Sequence, residues 1–383
     1  MQIHNHNAEA IILLTAYFNK DDKPLTITEY SKLADWLISK SLAPADLLGS
    51  DTDKILLDWQ DKKISRKRIL QLLSRGNAMA IAMQKWSNAG IWIITRADVE
   101  YPKRLKKRLG KKAPPIFYGA GDKKILRTQG IAIVGSRNAS EEDLNFAYKL
   151  GEKVARCGYS VVSGSARGVD EASMMGSIDA EGTTIGIVSD SLIQKVLSKK
   201  YRNALMRSEL VLLSPYHPEA RFAVGNAMGR NKYIYTMADT AIVVQTALKG
   251  GTWEGAKENL KHRWVPLFVR ENNNPKSGSK KLIEMGAKKL DTSIFEQSSL
   301  EFLFTEVENK KTNVTPKGHS LESMILDLLG KERLTIKMIA QKLSVDEKIV
   351  KKHVSSLVKV GSVQKHPNRP QQFSKIMRLP GME

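Results

Sequence analysis

At 383 residues the chain is too long for one small core, and two or three domains are expected. Its 61 Lys and Arg against 40 Asp and Glu leave a net charge of +21, which favours polyanions and makes nucleic acid the first partner to consider. The single cysteine, Cys157, excludes an intrachain disulfide and a cysteine metal cluster. No apolar run approaches the roughly 18 residues of a membrane span, and the opening MQIHNHNAEA has neither the basic region nor the apolar block of a signal peptide. A cytoplasmic protein without a membrane partner is expected.

Residues 1–80 read as a helical domain. Ala8 to Tyr17 is one helix, and Thr26 or Thr28 caps a second with Leu33, Ala34, Leu37 and Ile38 along one side. Leu47 to Leu57 and Ile64 to Leu73 follow. His4 and His6 stand at a terminus and are read as solvated rather than as metal ligands; neither metal nor cofactor is expected. Gly90 to Ile94 is a short strand, Tyr101-Pro102 opens a very basic stretch ending at Lys111-Lys112, and Ala113 to Gly119 leads into another strand.

The chain is organised around residues 131–170. Ile131 to Val134 is an unbroken apolar run, as in a strand buried on both faces. It ends in Gly135-Ser136-Arg137, and a helical pattern follows at Leu144, Tyr148, Leu150, Val154 and Ala155. Tyr159 to Val162 is a second strand, and Ser163-Gly164-Ser165-Ala166-Arg167-Gly168 turns into another helix. This is a βαβ unit with a small-residue turn carrying one arginine after each strand. In an open parallel sheet both turns fall at the carboxyl edge, where ligands bind. Small residues there let backbone amides approach an anion, and the arginines add charge. Arg137 and Arg167 are expected to converge on one pocket.

Further strands are predicted at Gly182 to Val188, Leu210 to Leu213, Ala241 to Val244 and, last, Trp264 to Val269, with a basic helical segment over 191–207. The fold class is therefore α/β, a doubly wound Rossmann-like parallel sheet over 81–300. Between these strands, Asn226 and Gly229-Arg230-Asn231-Lys232 read as a helix start with two cations facing an anion. Gly250-Gly251-Thr252-Trp253 is a third small-residue turn before a helix, and Trp253 either stacks on a base or packs the turn. Residues 301–319 read as a linker. The C-terminal 320–383 carries helices at Leu321 to Leu329, Ile336 to Leu343 after Thr335, and Asp346 to Val360 after Ser344. An extended tail follows that can form the wing of a winged helix.

Gly135-Ser136-Arg137 followed by Ser163-Gly164-Ser165-Ala166-Arg167-Gly168-Val169-Asp170 resembles the DNA-processing protein A family (DprA/Smf) of bacteria. The Tyr101-Pro102 entry, Pro114-Pro115, Gly121-Asp122, and Phe222 ahead of Arg230-Asn231-Lys232 are similar to that family as well. Two positions depart from its pattern: Ser173-Met174 stands where it has Ala-His, and Pro215 where it has a glutamate. The resemblance implies a Rossmann-like core that binds and protects single-stranded DNA, helps to load the RecA recombinase in transformation or recombination, and forms homodimers. Its helical entry is often a SAM-like or helix-hairpin-helix module, and a winged-helix tail is common.

The site expected for the DNA backbone is Gly135, Ser136, Arg137, Ser163, Gly164, Ala166, Arg167, Gly168, Asn226, Arg230, Asn231, Lys232, Gly250, Gly251, Thr252 and Trp253. Two other readings stay open. Gly250-Gly251-Thr252 with Glu254 echoes the turn of nucleoside-monophosphate phosphoribohydrolases, without its third glycine. The same core also suits a sensor of a nucleotide-derived signal in anti-phage defence. No Ser/His/Asp, metal or paired-carboxylate constellation is apparent, so a binding protein rather than an enzyme is expected.

Overall fold

The computed structural model describes residues 5–19, 21–271, 277–304, 321–343, 345–367 and 371–375. Contacts divide the chain into two compact units, Met1–Thr305 and Glu306–Glu383.

The first unit holds a nine-stranded sheet: β1 (Trp92–Thr95), β2 (Ile116–Gly121), β3 (Gly130–Gly135), β4 (Ser160–Ser163), β5 (Thr184–Ile187), β6 (Leu210–Ser214), β7 (Thr240–Gln245), β8 (Leu267–Arg270) and β9 (Lys288–Leu290). Across the sheet the order is β1-β2-β6-β5-β4-β3-β7-β8-β9. From β6 to β9 every pairing is parallel, while β1 with β2 and β2 with β6 are antiparallel. The chain builds outward from β3 to β6, then returns to the other side of β3 with β7, so the topological switch lies between β3 and β7. Their register runs from Ile131 opposite Thr240 to Val134 opposite Val243 and then shifts, with Gly135 opposite Gln245.

The two sheet faces follow from the alternation of side chains along β3. Ile131 and Ile133 enter one apolar cluster, with Leu150 and Val154 of the helix Glu141–Arg156 and Met174 of the helix Val169–Asp179. Ala132 and Val134 enter the other, with Ile234 and Met237 of the helix Val224–Met237 and Ala256 of the helix Gly251–His262. Helix Glu141–Arg156 starts where a capping box forms: the Asp143 N–H donates to Ser140 Oγ and the Ser140 N–H to Asp143 Oδ2. Three acids in its first turn and Lys153 and Arg156 in its last complement the helix dipole. Cys157 follows it, half-buried against the same cluster.

The N-terminal helices share this core. His6–Thr15, Ile27–Ser39 and Arg66–Leu73 bury Leu14, Leu33 and Ile69 in the Ile131 cluster. The helix expected over 47–57 breaks into a 3-10 turn Pro44–Leu48, one turn Thr52–Ile55 and a second 3-10 turn Leu56–Asp58, because Gly49-Ser50 interrupts it. A helix not foreseen, Gly76–Asn88, buries Met79, Met83 and Trp86, and Trp86 packs edge-on against Tyr118 of β2 at 5.1 Å. β8 is not the last strand. The short β9 follows after the helix Ser279–Glu284, pairing Phe268 with Lys288.

The second unit has its own core of Ile325, Leu329, Ile339, Val350, Val354, Leu357 and Phe373. Its helices are Leu321–Lys331, Ile336–Leu343 and Glu347–Lys359, with the Met338 N–H capped by Thr335 Oγ1 at 3.3 Å. An antiparallel hairpin follows, β10 (Val363–His366) with β11 (Gln372–Lys375), and Leu334 bridges to Phe373. Of the expected linker, residues 305–319 lie outside the described residues, as do Ser344 and the tail beyond 375; Leu303 is buried in the first unit's core. Among the described residues no helix is long and apolar enough to cross a membrane.

Candidate nucleic-acid interface

The helices leaving β3 and β7 pack on opposite faces of the sheet, which opens a crevice at the carboxyl edge between these two strands. Four stretches close on it: Gly135 to Arg137 after β3, Ala166 and Asp170 after β4, the first two turns of helix Val224–Met237, and Thr246 to Thr252 after β7. Together they enclose a pocket of about 300 Å3. Gly135, Asp170, Arg230 and Thr246 are buried at its floor, whereas Arg137, Phe222, Val224 and Lys249 are exposed at its rim.

Hydrogen bonds tie the turns to one another. Thr252 Oγ1 donates to the Gly135 carbonyl at 2.8 Å, Asn231 Nδ2 to the Gly251 carbonyl at 2.9 Å, and the Ser136 N–H to the Gln245 carbonyl at 3.1 Å. Two glycines permit the close approach. A Cβ on Gly168, whose φ is +95°, would lie 2.4 Å from the Ser136 carbonyl oxygen, and one on Gly164 would lie 1.6 Å from Arg230 Nη1.

At the floor Asp170 accepts the N–H of Gly135, at 3.4 Å, and that of Gly164. Arg230 Nη1 lies 3.8 Å from Asp170 Oδ2, and neither its Nε nor its Nη1 has a hydrogen-bond partner. Burial pushes the Asp170 carboxyl up from its ordinary value, against the pull of Arg230, the two N–H donors and Arg137. Burial likewise pulls the Arg230 guanidinium down, opposed by Asp170. Arg230 is thus buried beside Asp170 in the pocket lining, with its Nε and Nη1 left without hydrogen-bond partners.

Of the residues expected from sequence, the pocket brings together Gly135, Ser136, Arg137, Ala166, Arg230, Asn231, Gly250, Gly251 and Thr252. Arg167 does not join them: it is exposed and donates to Asn138 Oδ1 at 3.2 Å. The convergent pair is Arg137 with Arg230. Ser163 is buried and donates to the Ile133 carbonyl, and the carbonyl of Asn226 accepts the Tyr216 hydroxyl at 3.0 Å. Lys232 lies over the Tyr233 ring, where burial lowers its pKa and Glu258 raises it. Trp253 is buried in the core, with Lys257 over its ring. The helix expected to open at Gly229 begins at Val224, so Arg230 sits in its second turn and reaches the pocket from the side.

The rim holds what the motifs leave unassigned. Phe222 is 52% exposed with the Arg137 guanidinium 5.1 Å from its ring centroid, and Val224 and Met228 stand beside it in the lining. Three exposed apolar side chains within seven residues, just before a helix, are the sequence signal for such a rim. Glu254 is absent from the lining and pairs with Lys257 at 3.2 Å, so the hydrolase-like turn does not aim its acid at the pocket.

Residues 92–299 match the family described as DNA recombination-mediator protein A. The DNA processing protein DprA of Bacillus subtilis is 30% identical over 284 residues, which cover 68% of this chain and 92% of that protein. The DNA processing protein DprA of Streptococcus pneumoniae is 26% identical over 182 residues, 46% of this chain and 63% of its own length. The X-ray structure of DNA processing protein A from Streptococcus pneumoniae superposes with a TM-score of 0.58 at 20% identity, covering 76% of this chain and 95% of that one, a likeness of fold. With more than half of its length matched by the family and its sheet, turns and switch-point pocket in place, the chain belongs to the DNA recombination-mediator protein A (DprA/Smf) family.

Proposed function

We propose that this chain binds single-stranded DNA, with the phosphate backbone entering the pocket between β3 and β7. The observation that carries the reading is the pocket itself: three Gly/Ser/Thr turns, Arg137, the unused donors of Arg230 and Lys249 surround one recess in a chain of net charge +21. Phe222, Val224 and Met228 at the rim offer an apolar surface on which a base can stack, without base-edge groups that would read sequence. Of the remaining expected residues, Arg167 and Lys232 would act on the strand outside the pocket, while Ser163 and Trp253, being buried, would only support its turns.

Family membership supports a role in DNA processing and recombination. On that footing the chain protects single strands and helps to load RecA during transformation or recombination, as a cytoplasmic homodimer that acts as a binding protein rather than an enzyme. In this scheme 1–80 is a recruitment module, 81–300 the strand-binding core, 301–319 the linker and 320–383 a winged-helix-like module.

The test is binding of labelled oligo-dT and of a blunt duplex of equal length at several salt concentrations. Single strands should bind far better. Their affinity should fall with a log–log slope of about −0.7 for each phosphate neutralised. Equal affinity for duplex, or an affinity that ignores salt, would overturn the reading.

A further inference from the structure

The pocket has a buried side and an exposed rim. Its floor is closed by Gly135, Asp170, Arg230 and Thr246, of which Arg230 is only 2% exposed, and its volume of about 300 Å3 is small for a ligand site.

The charge of its lining bears on which kind of phosphate it suits. Asp170 offsets at most the charge of Arg230. Arg137 and Lys249 form no ion pair among the described residues, so the lining keeps at least two positive charges. An internal phosphodiester brings one negative charge, a terminal phosphomonoester close to two at neutral pH. Donors are available in matching number. The first-turn N–H groups of the twelve-residue helix Gly251–His262 have no intrahelical acceptor. Arg230 lines the same recess, and its buried Nη1 and Nε have no hydrogen-bond partner.

Building on the single-strand reading, we propose that the pocket captures a phosphomonoester, namely the phosphorylated end of a DNA strand. The amides of Gly251 and Thr252 and the Arg230 guanidinium hold its oxygens, Arg137 and Lys249 balance its second charge, and the terminal base lies against Phe222.

The experiment compares the full-length protein binding one short oligo-dT with hydroxyl ends, with a 5′-phosphate and with a 3′-phosphate, at one salt concentration. One of the phosphorylated strands should bind about tenfold more tightly or better, the effect of a further charge-assisted hydrogen bond. Lys249→Ala removes an exposed side chain and should fold normally. It should bring that ratio down to about two or three. Displacement by thymidine monophosphate, with thymidine as its control, separates two sources of the same chemistry. Displacement by the nucleotide alone assigns the recess to free phosphomonoesters as well as strand ends, and resistance to both assigns it to strand ends. Equal binding of all three oligonucleotides would overturn the inference and leave the single-strand reading standing. Binding of thymidine monophosphate without binding of any oligonucleotide would overturn that reading instead.

Discussion

Arg137 and Arg230 face one recess under opposite conditions. Arg137 is exposed, stacked on Phe222, and held by no carboxylate among the described residues. Its truncation should leave stability almost untouched. Arg137→Ala is expected to weaken oligo-dT binding by about 1.5–3 kcal/mol, the range for a charged hydrogen bond. The salt slope should become shallower by about 0.7, one contact's worth. A melting curve beside the binding isotherms checks both, and undiminished affinity would remove Arg137 from the interface. Arg230 is buried with Asp170, so its replacement confounds folding with binding. Gly164 isolates the folding part. An alanine Cβ there meets Arg230 Nη1 and, at 2.3 Å, Asp170 Oδ2, and Gly164→Ala should lower stability by about 1–3 kcal/mol in a denaturant titration. An unchanged midpoint would mean that the floor of the pocket yields at little cost.

At the scale of elements, helix starts are where local chemistry is clearest. Thr26 and Glu29 form a capping box at Ile27–Ser39, and Glu29 also receives Arg68 at 2.8 and 3.1 Å. The Arg68 hydrogen bonds, with the Thr26 N–H, hold the Glu29 carboxyl down at about 2 against a burial effect that raises it. Because the folded pKa is depressed, its stabilisation is full above the unfolded value near 4.5 and is lost as pH falls toward 2. Glu29→Gln should therefore cost about 1–2 kcal/mol at pH 7 and almost nothing near pH 2, read from the difference between the two proteins' denaturation midpoints. A pH-independent difference would show that the carboxylate's charge is irrelevant. Elements of this local kind are legible in sequence: β3, β4 and β7 are apolar runs ending in small residues, and the capped helices announce their first residues. What escapes is decided by distant partners. The helix Gly76–Asn88 begins with glycine and is fixed by Trp86 packing on β2, far along the chain. The helix carrying Arg230 begins six residues before it, because its register is set by burial of Tyr233, Ile234 and Met237, and that register sends the arginine to the pocket floor. Asp170 and Phe222 stand within recognisable motifs, but only the fold brings the acid to Arg230 and the ring to Arg137.

For the whole molecule, the question is which part holds the strand. The two units bury separate clusters, with no apolar residue common to both. Every residue lining the β3–β7 pocket belongs to the first. The N-terminal helices cannot be removed cleanly, since Leu14, Leu33 and Trp86 share the cluster of Ile131 and Val161, and a deletion there would expose the face of the sheet. Deletion at the other end is a clean experiment. A chain ending at residue 305 keeps Leu300 and Leu303, which are fully buried against the sheet, and should unfold cooperatively at nearly the intact protein's temperature. It should also bind oligo-dT with an affinity reduced by less than about tenfold, because the whole lining of the pocket stays in place and any contribution of the exposed Lys351 and Lys352 would only be additional. A truncated protein that folds but has lost all strand binding would place the essential contacts in the second unit and leave the pocket between β3 and β7 to a different ligand.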